Sequence, residues 1–228
     1  MRLRLGVFIF LSMPLLACGQ ETRTEAMFTQ WKASNSLAVD SFSGHLQAQD
    51  LSDVIALHQL LRSASSWQQC NAEPFAVPPQ EQWAEVVTVL RLVKDLVTRG
   101  ILGRFEVHSA YRNPELNKCA GGAAGSAHLR TFAVDLVPLE GIDPSPLLCR
   151  FWSEHGRLWN MGLGRYPSGR IHIDTSGYRT WGSDHTSRYA YCTTPTAKSS
   201  ILATHSIVCS SFVNEMIQWP TGERSSAS

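Results

Sequence analysis

Apolar residues recur at helical spacing in two stretches of the chain. Residues 51–61 carry Leu51, Val54, Ile55, Leu57, Leu60 and Leu61, the pattern of an amphipathic helix that continues toward Trp67. The run Phe75-Ala76-Val77-Pro78-Pro79 interrupts it. A stronger helix follows, with Trp83, Val86, Val87, Leu90, Val93 and Val97 on one side, charged residues on the other and Gly100 as its stop. The spacing then changes. Residues 104–111 predict a strand that ends at Arg112-Asn113-Pro114, residues 131–137 a second strand and residues 170–175 a third, with a helix over 144–155. No regular strand–helix–strand alternation and no internal repeat is present, so the pattern predicts an α+β domain with a mainly antiparallel sheet flanked by helices.

The two ends are different in kind. Residues 1–18 combine a basic start at Arg2 and Arg4, a short apolar run and Leu15-Leu16-Ala17-Cys18. The run is too short for a permanent span and suits an export signal. Its last four residues resemble the lipobox of bacterial lipoproteins, which implies acylation of Cys18, and Gly19 in place of Asp favours an outer-membrane anchor facing the periplasm of a Gram-negative host. Residues 19–43 are polar and rich in Ser and Thr, as expected of a tether. A folded domain is expected over 44–192. Residues 193–228 then predict a loosely ordered tail with one short helix near 212–217.

Composition changes this picture little. A chain of 228 residues with 43% hydrophobic and 17% charged residues can bury one substantial core. The formal charge of +1 falls to −1 without Arg2 and Arg4 (18 basic against 19 acidic), so no concentrated basic face suggests a nucleic-acid partner. Five cysteines follow Cys18: Cys70, Cys119, Cys149, Cys192 and Cys209. An oxidising compartment favours disulfides, and an odd number leaves at least one thiol unpaired or intermolecular. Their spacing matches no zinc-binding pattern. The pairing expected is Cys70 with Cys119 and Cys149 with Cys192, although spacing alone does not dictate connectivity.

Candidate chemistry concentrates in two segments. In the first, a glycine-rich loop, Gly121-Gly-Ala-Ala-Gly-Ser126-Ala, delivers His128, and a strand then delivers Asp135. In the second, Gly169-Arg-Ile-His172-Ile-Asp174, alternation puts His172 and Asp174 on one strand face and Ile171 and Ile173 on the other. Imidazole nitrogen and carboxylate oxygen both suit zinc. Two His and one Asp leave a fourth tetrahedral position open, which is the mark of a catalytic rather than a structural ion. Singly, His128 also suits a surface loop, Asp135 a local cap and His172 a satisfied core residue. Arg112 also suits a structural ion pair, and His108 and His185 carry no local distinguishing signal.

Ser126-x-His128, Ala133-x-Asp135, His172-x-Asp174-Thr175, Arg179-x-Trp181 and Ser109-Ala-Tyr-Arg112-Asn-Pro114 occur in an order that resembles the zinc D-alanyl-D-alanine peptidases. These are the VanY-like carboxypeptidases and murein endopeptidases, which share a fold with lysostaphin-type enzymes and the Hedgehog domain. The resemblance implies a zinc ion on His128, Asp135 and His172. It further implies that Arg112 engages a substrate carboxylate or carbonyl and that Ser126 hydrogen-bonds the peptide. The implied substrate is a stem peptide or cross-link of peptidoglycan. Many members place an acid three residues before the last zinc histidine, but that position is Gly169 here. Asp174 is the nearest acid and is expected either to act as the base or to orient the site. Loss of that acid also opens a second expectation, a zinc-containing, peptidoglycan-binding lipoprotein without catalysis.

Overall fold

The computed structural model describes residues 15–130, 132–139, 141 and 143–192, with side chains from residue 23 onward. The export signal as far as residue 14, the tail from 193 and Cys209 lie outside the described residues, and so does the side chain of Cys18. No described helix is long and apolar enough to cross a membrane.

Two helices open the chain, α1 (Leu15–Ser34) and α2 (Ser36–Ala48). The stretch expected as a tether is therefore folded. Val39, Phe42 and Leu46 bury one stripe of α2, and Phe42 meets the Trp83 ring edge-on at 5.4 Å. Three apolar residues at i, i+3 and i+7 are enough to seat a helix once a partner surface exists, even when Ser, Gly and Asp lie between them. On α1, Phe28 and Trp31 pack against Phe75.

The helix expected over 51–61 shrinks to α3 (Leu57–Leu60). Asp50, at φ 56°, ends α2, and the chain then runs through turns. At Arg62 it is drawn into extended form, because Arg62 bridges Phe75 and its carbonyl accepts from the Ala110 amide. The apolar residues Leu51, Ile55, Leu60 and Leu61 are buried as expected, but from successive turns.

Helix α4 (Trp83–Thr98) forms as its pattern dictates and buries seven residues from Val86 to Leu96. Gly100 in the left-handed region (φ +68°) lets Ile101 and Leu102 return their amides to the Leu96 carbonyl. Strand β1 (Phe105–Ser109) follows. Asn113 then caps α5 (Pro114–Cys119), its side-chain oxygen accepting from the Leu116 amide with Pro114 at the first helical position. The short α6 (Ala127–Arg130), β2 (Ala133–Pro138), α7 (Ser145–His155), β3 (Gly162–Arg165), β4 (Ile171–Asp174) and β5 (Arg179–Trp181) complete the described domain.

The sheet has the order β1-β2-β4-β3-β5, and every pairing is antiparallel except β3 with β5. It is the mainly antiparallel α+β arrangement predicted, with two further strands. Strand β3 escapes sequence patterning because two of its four residues are glycine, and β5 because it has three residues. One sheet face, with Val107, Val134, Leu136, Leu163, Ile171 and Ile173, joins the buried faces of α4 and α7 in a continuous core. Disulfides connect Cys70 to Cys119 and Cys149 to Cys192, as expected, with Cα atoms 5.8 and 5.2 Å apart.

Candidate metal centre

The opposite face of the sheet is polar, and register lines its residues up. Ser109 faces Asp135, Asp135 faces His172, His172 faces Gly164, and Gly164 faces Trp181, in one row across all five strands. One step along, Ala133, Asp174, Gly162 and Arg179 form a parallel row. His128 arrives from α6, just ahead of β2, where the Arg112 amide donates to the His128 carbonyl.

The strand pattern alone thus brings Asp135 and His172 side by side, and the loop adds His128. One ligand-type atom from each lies within 4.8 Å of the other two. His128 Nε2 is 3.0 Å and His172 Nδ1 2.9 Å from the same carboxylate atom, Asp135 Oδ1. All three side chains are buried.

Each of the three also has its outward atom held. His128 Nδ1 lies 2.6 Å from the Ala110 carbonyl. Asp135 Oδ2 accepts from Arg112 Nη2 at 2.9 Å, while Arg112 Nε donates to Ser109 Oγ. His172 Nε2 lies 2.7 Å from Asp174 Oδ2. A donor to carbonyl on the far ring nitrogen leaves His128 Nε2 with a lone pair aimed inward, and Asp174 behind His172 Nε2 favours the same orientation for His172, whose Nδ1 would offer its lone pair once zinc displaces the proton there. Two nitrogens and one oxygen around one point fit a zinc ion, and they fit it as ligands already oriented.

Charge follows the same geometry. Burial pushes the His128 pKa down to about 4, against the opposing pull of Asp135, so its imidazole is neutral at pH 7. Burial would also raise the Asp135 carboxyl, but His128 and His172 outweigh it and hold the group well below the usual carboxylate range. For His172, burial is outweighed by the hydrogen bonds to Asp135 and Asp174, which lift it to about 9 among these protein groups alone. Burial would raise Asp174 as well, yet His172 and Arg179 keep it ionised.

Asp174 stands behind His172 rather than beside the cleft. It is fully buried, and its two oxygens take five donors: His172 Nε2, both Arg179 amino groups (3.0 and 2.6 Å), and the Ser176 amide and hydroxyl. Two glycines make this closeness possible. A Cβ on Gly162 would collide with Asp174 Oδ2, and one on Gly164 would collide with the Trp181 ring.

A cleft of about 540 Å³ opens over the centre, lined by Arg112, Ser126, Tyr166, Arg170, His172 and Trp181 among others. Ser126 also starts α6, its carbonyl accepting from the Leu129 and Arg130 amides. His185, a candidate cleft histidine, joins the wall, and so does Tyr166, to which sequence reasoning assigned no role. The Tyr166 ring is 6.3 Å from His172 and 5.0 Å from Trp181, and His185 is 5.1 Å from Trp181. Burial, and then the charge of Asp135, raise the Tyr166 phenol, so it stays protonated. The available signal for Tyr166 was its place before Pro167-Ser168-Gly169, a turn that returns β3 to β4. His108 lies outside the cleft, paired with Glu106 at 3.5 Å.

A family model described as Peptidase M15 matches residues 56–174, just over half of the chain. The chain belongs to the peptidase M15 family. No curated protein and no solved structure matches it. The peptidase M15 match embraces Arg112, His128, Asp135, His172 and Asp174, and the family is one of zinc D-Ala-D-Ala, VanY-like peptidases. The mixed fold and its sheet agree with the peptidase M15 architecture.

The departure at position 169 now has a structural cause. The Tyr166 amide donates to the Arg170 carbonyl, leaving Pro167, Ser168 and Gly169 as a three-residue hairpin loop with Gly169 at φ +84°. That loop type calls for glycine where the family often carries an acid.

Proposed function

We propose that this peptidase M15 member cleaves D-amino-acid-containing peptide bonds of peptidoglycan, as a D,D-carboxypeptidase or murein endopeptidase, with His128, Asp135 and His172 holding zinc. The observation that carries the reading is the convergence of three ligand atoms whose outward atoms are already held by Ala110, Arg112 and Asp174. Zinc held there polarises a scissile carbonyl and lowers the pKa of a water molecule.

The remaining tasks fall to the chain. Asp174, with five donors and no exposure, orients His172 and is saturated as a proton acceptor; of its two expected roles we assign the orienting one. Arg112 clamps Asp135 and, from the cleft wall, adds positive charge near the substrate carbonyl. The neutral Tyr166 phenol, hydrogen-bonded to Asp135 and Arg112, stands where its one hydrogen can turn to charge developing on the substrate. Ser126 meets the peptide from the glycine-rich side. The lipobox supports a lipid anchor at Cys18 and a periplasmic, outer-membrane location, within reach of the wall.

A second reading is favoured by Gly169: a zinc-containing, peptidoglycan-binding lipoprotein that lacks turnover. Digestion of purified peptidoglycan, followed by mass spectrometry, separates the two when zinc content is measured on the same protein. New stem-peptide products from the wild type, absent with His128→Ala, support the peptidase. Identical digests from a zinc-loaded wild type and that variant leave only binding.

A further inference from the structure

Three arginines line the cleft, Arg112, Arg170 and Arg179, and no aspartate or glutamate does. Two of the three are neutralised from behind. Arg112 pairs with Asp135, and Arg179 with Asp174. Arg170 has no carboxylate partner among the described residues. Its Nη1 donates to Ser65 Oγ at 3.0 Å and its Nε to Ser168 Oγ at 3.1 Å, and its guanidinium lies over the Tyr166 ring at 5.1 Å. Two hydroxyls and an aromatic face fix the direction of the fork without quenching its charge.

Arg170 also stands at a boundary. Ser65 and Ala64, which line the main cleft, line as well a second cavity of about 190 Å³ that runs toward Trp67 and His108. His108 feels Arg170: its pKa is lowered first by burial and, opposed by Glu106, by the charges of Arg62 and Arg170. The two cavities thus share the wall made by Ala64 and Ser65, and Arg170, without a carboxylate partner among the described residues, stands beside it.

We propose that Arg170 is a specificity-determining residue that binds a carboxylate of an extended peptide leaving the cleft over Ser65. The proposal rests on the peptidase reading and deepens it. With Nε and Nη1 each giving one hydrogen to a serine hydroxyl, three N–H groups of the guanidinium remain for a carboxylate, and Glu106, the acid that lines the adjoining cavity, is already paired with Arg62 and His108. A carboxamide of the same shape offers one acceptor and no charge. The site therefore selects peptides with a free carboxyl at this position over amidated ones.

The test uses zinc-loaded, full-length protein and matched stem peptides in which one carboxyl at a time is converted to the carboxamide. With the wild type, amidation at one position is expected to raise KM about 10- to 100-fold, in line with the loss of one charge-assisted contact. In Arg170→Gln the acid and the amide are expected to become equal within about twofold, at the weaker value, with the loss in KM rather than kcat. Arg170→Lys, which keeps the charge but not the fork, is expected to lie between them. The side chain is partly exposed and held by hydroxyls, so thermal melting should show Arg170→Gln folded. The proposal is overturned if Arg170→Gln keeps the wild-type ratio of acid to amide, or if no position of amidation matters to the wild type. If the wild type cleaves nothing, the peptidase reading fails by itself. The same ratio is then read from peptide binding, followed by tryptophan fluorescence as Trp181 lines the cleft, and equal acid and amide binding overturns the Arg170 assignment there as well.

Discussion

Replacing Asp174 by Asn changes one atom and tests how the centre is held. Asp174 Oδ1 accepts from the Ser176 amide and hydroxyl and from Arg179 Nη1, and an Asn oxygen at that place keeps all three. The amide NH2 then falls where Oδ2 was, facing His172 Nε2 at 2.7 Å and Arg179 Nη2 at 2.6 Å. Two donors now face donors. Arg179, whose side chain is 41% exposed, can swing its amino group to water. His172 cannot leave, so its ring takes the tautomer that accepts at Nε2 and carries hydrogen on Nδ1, the atom directed at Asp135 and the centre. Zinc must displace that hydrogen and accept a poorly oriented ring, a loss of about 10- to 100-fold in affinity, or roughly 1.4–2.8 kcal/mol. Loss of the Arg179 contact costs the fold a further 1–3 kcal/mol or so. Competition against a chromogenic chelator measures the affinity, and peptide hydrolysis against free zinc measures the consequence. The expected outcome is weak zinc binding with activity returning to within about threefold at saturating zinc. Wild-type zinc affinity together with activity that stays low at saturating zinc would refute the orienting role and restore Asp174 as a proton carrier.

Two further outcomes follow from geometry. Gly169→Ala meets no neighbour, but forces alanine to φ +84°, at a cost of about 1–2 kcal/mol, so melting should fall by roughly 2–8 °C; an unchanged melting point would mean that the hairpin does not need a left-handed residue. Phe42→Ala removes a fully buried ring from α2 and should cost about 3–5 kcal/mol in denaturant unfolding, whereas a cost under about 0.5 kcal/mol would return residues 36–43 to the role of a tether.

The centre was legible in the chain because Asp135 and His172 sit on short strands whose alternation is clear, and His128 stands in a glycine-rich loop just ahead of the first. Alternation in Ile171-His172-Ile173-Asp174 and in Ala133–Pro138 already separates polar from apolar faces, and the sheet then only has to pair them. Helix α4 was equally legible, since its apolar stripe is continuous over four turns. Helix α2 was not, because Phe42 gains its burial from Trp83, 41 residues later, and local composition carries no trace of that partner. Strand β3 was hidden for a related reason. Gly162 and Gly164 are chosen for what Arg179 and Trp181 must do above them, so their low strand propensity reports a tertiary demand. Arg179 closing over Asp174 was beyond reach too: alternation places Asp174 on a face but not under a lid.

The two polar rows depend on the hairpin Pro167-Ser168-Gly169 as a gauge of length. It sets β3 against β4, so it alone decides that Gly164, rather than Leu163 or Arg165, stands opposite His172. Inserting or deleting one residue there would shift that alignment by a step and turn His172 and Asp174 toward the apolar core, or Trp181 away from them. The connection over residues 175–178 is held in another way, by the two hydrogen bonds that Ser176 gives Asp174. The geometry of the centre is thus tied to the count of residues in this one turn.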